Sequence, residues 1–245
     1  MFAVKILCVG FAIALWAIAS HLGMLDPRLF PSPDEVGDAT LSLLAKPNVR
    51  NELVTTLSTV FISLLISMPV GILTGALIAS SNYWKEVMKP ILFFPLSIPK
   101  SIFLPLFILA VGIGPIEKIL FGVFSIVFLV IVFTISAIES IEPTHLRVAR
   151  SYGASQIQTL WRVYIPSMLP TLLEGLRLSV IFAVTAVVLA EMYASRSGFG
   201  SLISAWGEGF QVLPLMASVV VISVCSIVTN EIIRWFEHRC SHWRA

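Results

Sequence analysis

Lys100 and Glu191 are ionisable side chains set in stretches of chain apolar enough to cross a bilayer. An ionised group near the bilayer midplane costs at least about 2.5–3.5 kcal/mol on insertion scales, so it normally faces a wet cavity or a partner. Pro95, Ser97, Pro99 and Ser101 flank Lys100. Prolines beside hydroxyls predict a broken, polar helix lining a translocation path through Ser97, Lys100 and Ser101. Lys100 lies ten residues into its apolar stretch, about 15 Å deep at 1.5 Å rise per residue. The chemistry this predicts is a cationic contact for an anionic solute. The alternative is that the proline breaks let Lys100 reach headgroups or phosphates. Glu191, near the end of a later apolar stretch, is a second candidate for the path. It is expected to order the loop at 195–201, as a gate or docking element, or to serve only its own helix end.

Other chemistries find no constellation. His21, His145, His238 and His242 have no spacing that builds a zinc site, and Glu237 precedes His238 rather than following it as in a zincin. Cys8, Cys225 and Cys240 are odd in number and widely spaced, which indicates neither a disulfide framework nor a metal centre. There is no Gly-x-Ser-x-Gly elbow and no Gly-x-x-x-x-Gly-Lys-Ser/Thr loop to cradle phosphates. The reading is a protein that is not an enzyme, holds no cofactor, and borrows any ATPase from another chain.

The elements that must position Lys100 and Glu191 follow from composition. Of 245 residues, 57% are apolar and only 12% charged, and the mean hydropathy is +0.93. Soluble domains carry about 25% charge, so this chain belongs in a membrane. A net charge of +2 is too small to suggest nucleic acid. Crossing about 30 Å of hydrocarbon takes roughly 20 apolar residues. Candidate spans fall at 2–20, 53–80, 90–113, 119–138, 173–195 and 212–233. No barrel-like alternation is present, so the fold class predicted is all-α, a polytopic helix bundle with about six spans. It divides into an N-terminal helix and external loop (1–52), a core (53–236) and a tail (237–245).

Orientation follows from basic residues. One set of loops holds Lys5, Lys85, Lys89, Arg147, Arg150, Arg162, Arg177, Arg234, Arg239 and Arg244, against Arg28, Lys46, Arg50, Lys118 and Arg196 in the other. This puts both termini and the segment 139–170 in the cytoplasm. The first span has a competing reading. Lys5, the apolar run and Ala17-Ile18-Ala19 fit a cleavable signal peptide, whereas the lack of a polar region before that site favours a retained helix.

The segment 139–170 is polar and has its own punctuation. Pro143 suits a first helical position and Gly153 a helix stop. Ser155 and Gln158 make a capping-box spacing. Ile157, Leu160, Trp161, Tyr164 and Ile165 then fall on one helical face, with Pro166 and Pro170 expected to end the helix. Such a hairpin predicts a docking handle. Elsewhere, Gly71 and Gly75 form a small-xxx-small pair suited to close helix packing. Ser58, Ser63, Ser67, Thr185, Thr229 and Asn230 are further candidates for the path, with bonding to their own helices the default.

The hairpin resembles the cytoplasmic signature of inner-membrane permeases of ATP-binding-cassette importers, in the branch handling nitrate, sulfonates, taurine and thiamine-precursor pyrimidines. Ala149, Gly153, Val163 and Pro166 fall on that signature, with Ile165 where Leu is usual and Arg147-Val148 replacing Glu-Ala. Phe30-Pro31-Ser32-Pro33, Pro99-Lys100, Leu104-Pro105-Leu106, Gly112-Ile113-Gly114, Gly175-Leu176-Arg177, Ala190-Glu191 and Gly198-Phe199-Gly200 resemble further family segments in the same order.

The resemblance implies a type I importer permease driven by a separate cytoplasmic ATPase subunit. Arg147, Ala149, Arg150, Gly153, Ala154, Ser155 and Pro166 would be the coupling residues. It implies that 144–152, turning at Gly153, inserts into a cleft on the ATPase, and that nucleotide-driven closure draws two hairpins together. A periplasmic or extracellular solute-binding protein and a homodimer are the other implied partners. Ala149 and Gly153 are read as small because partner backbone approaches closely, with a helix C-cap as the plainer role for Gly153. The alternative function is an ion-coupled secondary carrier, which should show paired broken helices in an inverted repeat; no convincing repeat is present.

Overall fold

The structure is a computed structural model that describes the backbone of residues 2–241 and the side chains of 7–239 apart from 194 and 238. Among these residues it contains helices and no strands. Helix α1 spans Phe2–His21, α2 Pro33–Ala45, α3 Pro47–Ala79, α4 Asn82–Ser97, α5 Leu104–Val111 and α6 Pro115–Glu139. Then follow α7 Pro143–Ser151, α8 Gln156–Thr159, α9 Ile165–Ala194, α10 Phe199–Glu208 and α11 Val212–Ser241.

Among the described residues four helical stretches are long and apolar enough to cross a membrane: Pro47–Ala79, Pro115–Glu139, Gln156–Tyr193 and Val212–Glu237. A fifth arises if α4 and the run Lys100–Val111 count as one broken span, bent by 85°. Leu7–His21 is a shorter apolar helix, lying mainly against α2 with Leu7, Phe11 and Leu15 exposed. The six candidate stretches are thus all helical, but the third is not one rod. Ile98 and Pro99 are extended, and Lys100–Phe103 forms a single 3₁₀ turn before α5. Proline bars αR for the residue before it and cannot donate to the preceding turn. The rise per residue therefore stops measuring depth at Ile98, and the 15 Å expectation for Lys100 does not survive the bend.

Helices α3, α6 and α9 form the centre, with α3 and α6 the most extensive pair. Their close approach is written in glycine. A Cβ on Gly71 would lie 2.6 Å from Val130 Cβ, and one on Gly75 would lie 2.7 Å from Thr134 Cβ and 2.9 Å from Ile131 O. Gly175 on α9 is pressed against Phe133 in the same way. Without water to drive association, such backbone proximity and its dispersion contacts hold membrane helices together. The hydroxyls along α3 follow the default: Ser58, Ser63 and Ser67 donate to Thr55 O, Thr59 O and Ser63 O. Ser63 and Ser67 also reach Ile119 O and Val123 O on α6.

Two features depart from sequence expectation. The loop at 21–52 contains α2, opened by a capping box in which Ser32 and Glu35 satisfy each other's backbone N–H; its Leu43 joins Val49, Phe199, Ala217 and Val221 in an apolar cluster with α11. Pro166 and Pro170, expected to end a helix, do not. The chain is helical from Gln156 to Tyr193. A π-turn at Leu160–Tyr164 absorbs Pro166: the Ile165 N–H bonds to Leu160 O, five residues back. The wider turn relieves the ring's clash with the carbonyl four residues earlier. Pro170 sits inside α9.

Candidate functional site

Three groups of residues stand out: an alcove at the broken span, a polar knot at one end of the bundle, and the hairpin at the other.

The alcove has a volume of about 400 Å³ and is lined by Ser97, Lys100 and Ser101 from the break, Phe121 and Ser125 from α6, and Phe182 and Thr185 from α9, among others. It brings the three path candidates of the broken span together. Lys100 Nζ lies 5.1 Å from the centroid of the Phe182 ring, over its face. This is a cation–π contact, electrostatic and weaker than an ion pair with a desolvated carboxylate. Thr185 also lines the wall, while its hydroxyl donates to Ile181 O. Thr229, on α11, donates to Cys225 O, and the Asn230 side-chain Oδ1 is buried without a hydrogen bond among the described residues.

Glu191 is not in that alcove. It is fully buried, as is Lys118, and their Nζ and Oε1 lie 3.8 Å apart. Glu191 Oε2 accepts from Thr56 Oγ1 at 2.6 Å and from the Gly200 N–H at 3.0 Å. Thr56 Oγ1 in turn accepts from the Phe199 N–H at 2.7 Å. Lys118 Nζ donates to Ser197 O at 2.7 Å and Ser197 Oγ at 3.1 Å. Glu52 accepts from the Gly198 N–H. One knot thus ties α3 (Glu52, Thr56), α6 (Lys118) and α9 (Glu191) to the start of α10. Between them Glu52, Thr56 and Glu191 accept the Gly198, Phe199 and Gly200 N–H groups, which would otherwise be orphaned at the start of α10; Glu191 itself takes only that of Gly200. Gly198, at φ +100, and Gly200 lie where a side chain would collide with the Glu191 side chain. The polar spacing Glu52-x₃-Thr56 and the sequential Glu117-Lys118 were the signals that could have pointed to this knot. Glu117, fully buried beside Lys118, has both carboxylate oxygens without a hydrogen bond among the described residues.

At the opposite end, α7 stops in a Schellman arrangement: Gly153 N–H bonds Arg150 O and Ala154 N–H bonds Ala149 O, both at 3.0 Å, with Gly153 at φ +70. Ser155 and Gln158 then form the capping box that the spacing predicted. Arg147, Arg150, Gly153 and Ser155 are exposed, and Ala149, Ala154 and Pro166 half-buried. The apolar face of the second helix is split. Val163 and Tyr164 pack with Ala137, Ile141 and Met168, whereas Ile157 (71%) and Trp161 (65%) remain open, as does Tyr152 (87%) at the end of α7. A Cβ added to Gly153 would meet nothing within 4 Å among the described residues, so within them it is the positive φ, not crowding, that favours glycine here.

Comparison with known proteins agrees with this architecture. The profile of the family described as "Binding-protein-dependent transport system inner membrane component" matches residues 67–242. The chain belongs to that family. It is a multi-pass membrane permease subunit of the ATP-binding-cassette importer class. Among curated relatives it is 25% identical over 236 residues to the taurine transport system permease protein TauC of Escherichia coli, covering 94% of this chain and 86% of that one. It is 26% identical over 232 residues to the putative aliphatic sulfonates transport permease protein SsuC of Bacillus subtilis, covering 95% and 84%. A chain in the crystal structure of a bacterial transporter for the acidic polysaccharide alginate has the same fold, with a TM-score of 0.66 at 17% identity over 97% of this chain and 95% of that one.

Proposed function

We propose that this permease moves a small organic anion across the inner membrane, powered by a separate cytoplasmic ATPase that grips the hairpin 143–164. Both termini and the hairpin lie in the cytoplasm. Two copies face each other across the path, and a solute-binding protein delivers cargo at the end marked by the polar knot. The single observation that carries the coupling reading is the exposed apolar set Val148, Tyr152, Ile157, Leu160 and Trp161 on the hairpin. Water-facing aromatic clusters of that kind mark protein contacts. The hairpin's second helix runs without interruption from Gln156 into α9, so force applied to it reaches the wall of the alcove.

The solute class is supported by the two named relatives, whose taurine and aliphatic sulfonates each carry a sulfonate. It is supported also by an alcove whose lining contains a lysine and no carboxylate.

The test is co-purification of the tagged permease with candidate ATPase chains, together with membrane-impermeant labelling of an Arg150→Cys variant. Retained, nucleotide-responsive ATPase and labelling only after the cytoplasmic face is opened are expected. Labelling of intact cells at position 150 would sink the orientation and the coupling together.

A further inference from the structure

The Lys100 alcove has an unusual donor inventory. Ser97, Ser125 and Thr185 spend their hydroxyl hydrogens on Phe93 O, Phe121 O and Ile181 O. Ser101 Oγ makes no hydrogen bond among the described residues, and Lys100 Nζ makes neither a hydrogen bond nor an ion pair there. The donors left to a visitor are therefore the Lys100 ammonium and the Ser101 hydroxyl. The rest of the lining is largely apolar: Leu96, Phe121, Phe182, Ala186 and Leu189. By contrast, Lys118, which unlike the half-buried Lys100 is fully buried, has Glu191 and Ser197 around it. Among the described residues the Phe182 ring face is the contact made by the Lys100 charge, and it does not neutralise that charge.

An uncompensated cation in a low-dielectric wall attracts an anion strongly. A cavity of about 400 Å³ also falls in the range of small-molecule sites and exceeds what an inorganic oxyanion fills. We propose that the alcove is a transit subsite for the anionic head of a small organic solute. Lys100 Nζ and Ser101 Oγ are its donors, and Phe182, Leu96 and Leu189 bed the solute's short apolar part. The proposal rests on the permease reading above and adds where in the wall the cargo is held. Because Phe182 offers Lys100 a resting contact, the ammonium exchanges between ring and solute rather than trapping the cargo in an ion pair. The same chemistry would suit a lipid phosphate, and the experiment separates the two.

The experiment is thiol labelling of Thr185→Cys, with Cys8, Cys225 and Cys240 replaced by alanine, in lipid nanodiscs without any ATPase. Its probes are sulfonatoethyl and trimethylammonioethyl methanethiosulfonate. Each forms a disulfide with the thiolate and expels methanesulfinate, so only the probe's charge differs. The anionic-to-cationic rate ratio is expected to fall about tenfold in Lys100→Met, the lower end of what local field focusing achieves. It should hold in Lys100→Arg. Butanesulfonate should slow labelling of the parent and not of Lys100→Met. An unchanged ratio in Lys100→Met, with the Arg variant confirming a folded protein, overturns the subsite. So does suppression of the anionic preference by phosphatidylglycerol with no effect of butanesulfonate, which assigns the site to headgroups. Failure of ATPase docking would sink the coupling reading and leave this ratio untouched.

Discussion

Thr56 and Glu191, 135 residues apart in the chain, share a buried 2.6 Å hydrogen bond. The same Thr56 oxygen accepts the Phe199 N–H, so one hydroxyl joins α3, α9 and the entry to α10. Its single hydrogen points to the carboxylate at 2.6 Å, nearer than the Glu52 carbonyl oxygen at 3.2 Å, while a lone pair takes the backbone N–H.

Breaking that knot should cost more than its hydrogen bonds. Lys118→Met leaves Glu191 buried without its cation, and removing one partner of a buried pair costs about 3–5 kcal/mol. The expected outcome is a large drop in the thermal midpoint in detergent, with Glu191→Gln added in the same chain recovering a substantial part. A double-mutant cycle measures the recovery; two simply additive losses would show that the pair is not coupled.

Close packing of α3 on α6 predicts a second asymmetry. Gly75→Ala forces a Cβ to 2.7 Å from Thr134 and 2.9 Å from a backbone oxygen, and overpacking of this kind costs about 1–3 kcal/mol. Gly37→Ala on α2 meets nothing within 4 Å and should gain roughly 0.5–1 kcal/mol from helix propensity. Unfolding titrations of both variants check the contrast; equal effects would contradict the tight α3–α6 contact.

Gly153 distinguishes backbone need from partner approach. Asparagine tolerates the left-handed region and valine does not. Gly153→Asn is expected to keep the hairpin folded and yet lose co-purified ATPase, because the partner's backbone comes too near. Amide exchange at Ala154 together with pull-down decides it. A folded Asn variant that still retains ATPase and transports reduces Gly153 to a helix cap.

Helix α2 should depend on its cap. Ser32→Ala removes one half of the capping box and is expected to cost about 1 kcal/mol, read as faster amide exchange at Glu35 and Val36 with α3 unaffected.

Much of this architecture was legible because its signals are local. The positions of the spans follow from apolar run length, the Gly153 stop and the Ser155 cap from residue type, and the Gly71/Gly75 contact from spacing. The loop 195–201 was tied to Glu191 by proximity in sequence. What was not legible depended on distant partners. Nothing near Lys118 announces that it will be buried against Glu191, and nothing near Thr56 announces Phe199. Pro166 misled for a different reason: proline at an aqueous helix end is a stop, but a π-turn upstream can accommodate it when the helix must continue into the bilayer. The capping box at Ser32 and Glu35 was present in sequence and hidden by the polarity of the segment around it.

The unbroken helical run from Gln156 to Tyr193 makes the permease intolerant of length changes in a way that loops are not. Adding one residue there would rotate everything on one side by about 100° and shift it by about 1.5 Å. Trp161 and Phe182 are phased to each other like teeth cut on one shaft. Swapping handles between related permeases should therefore succeed only when the splice preserves residue count.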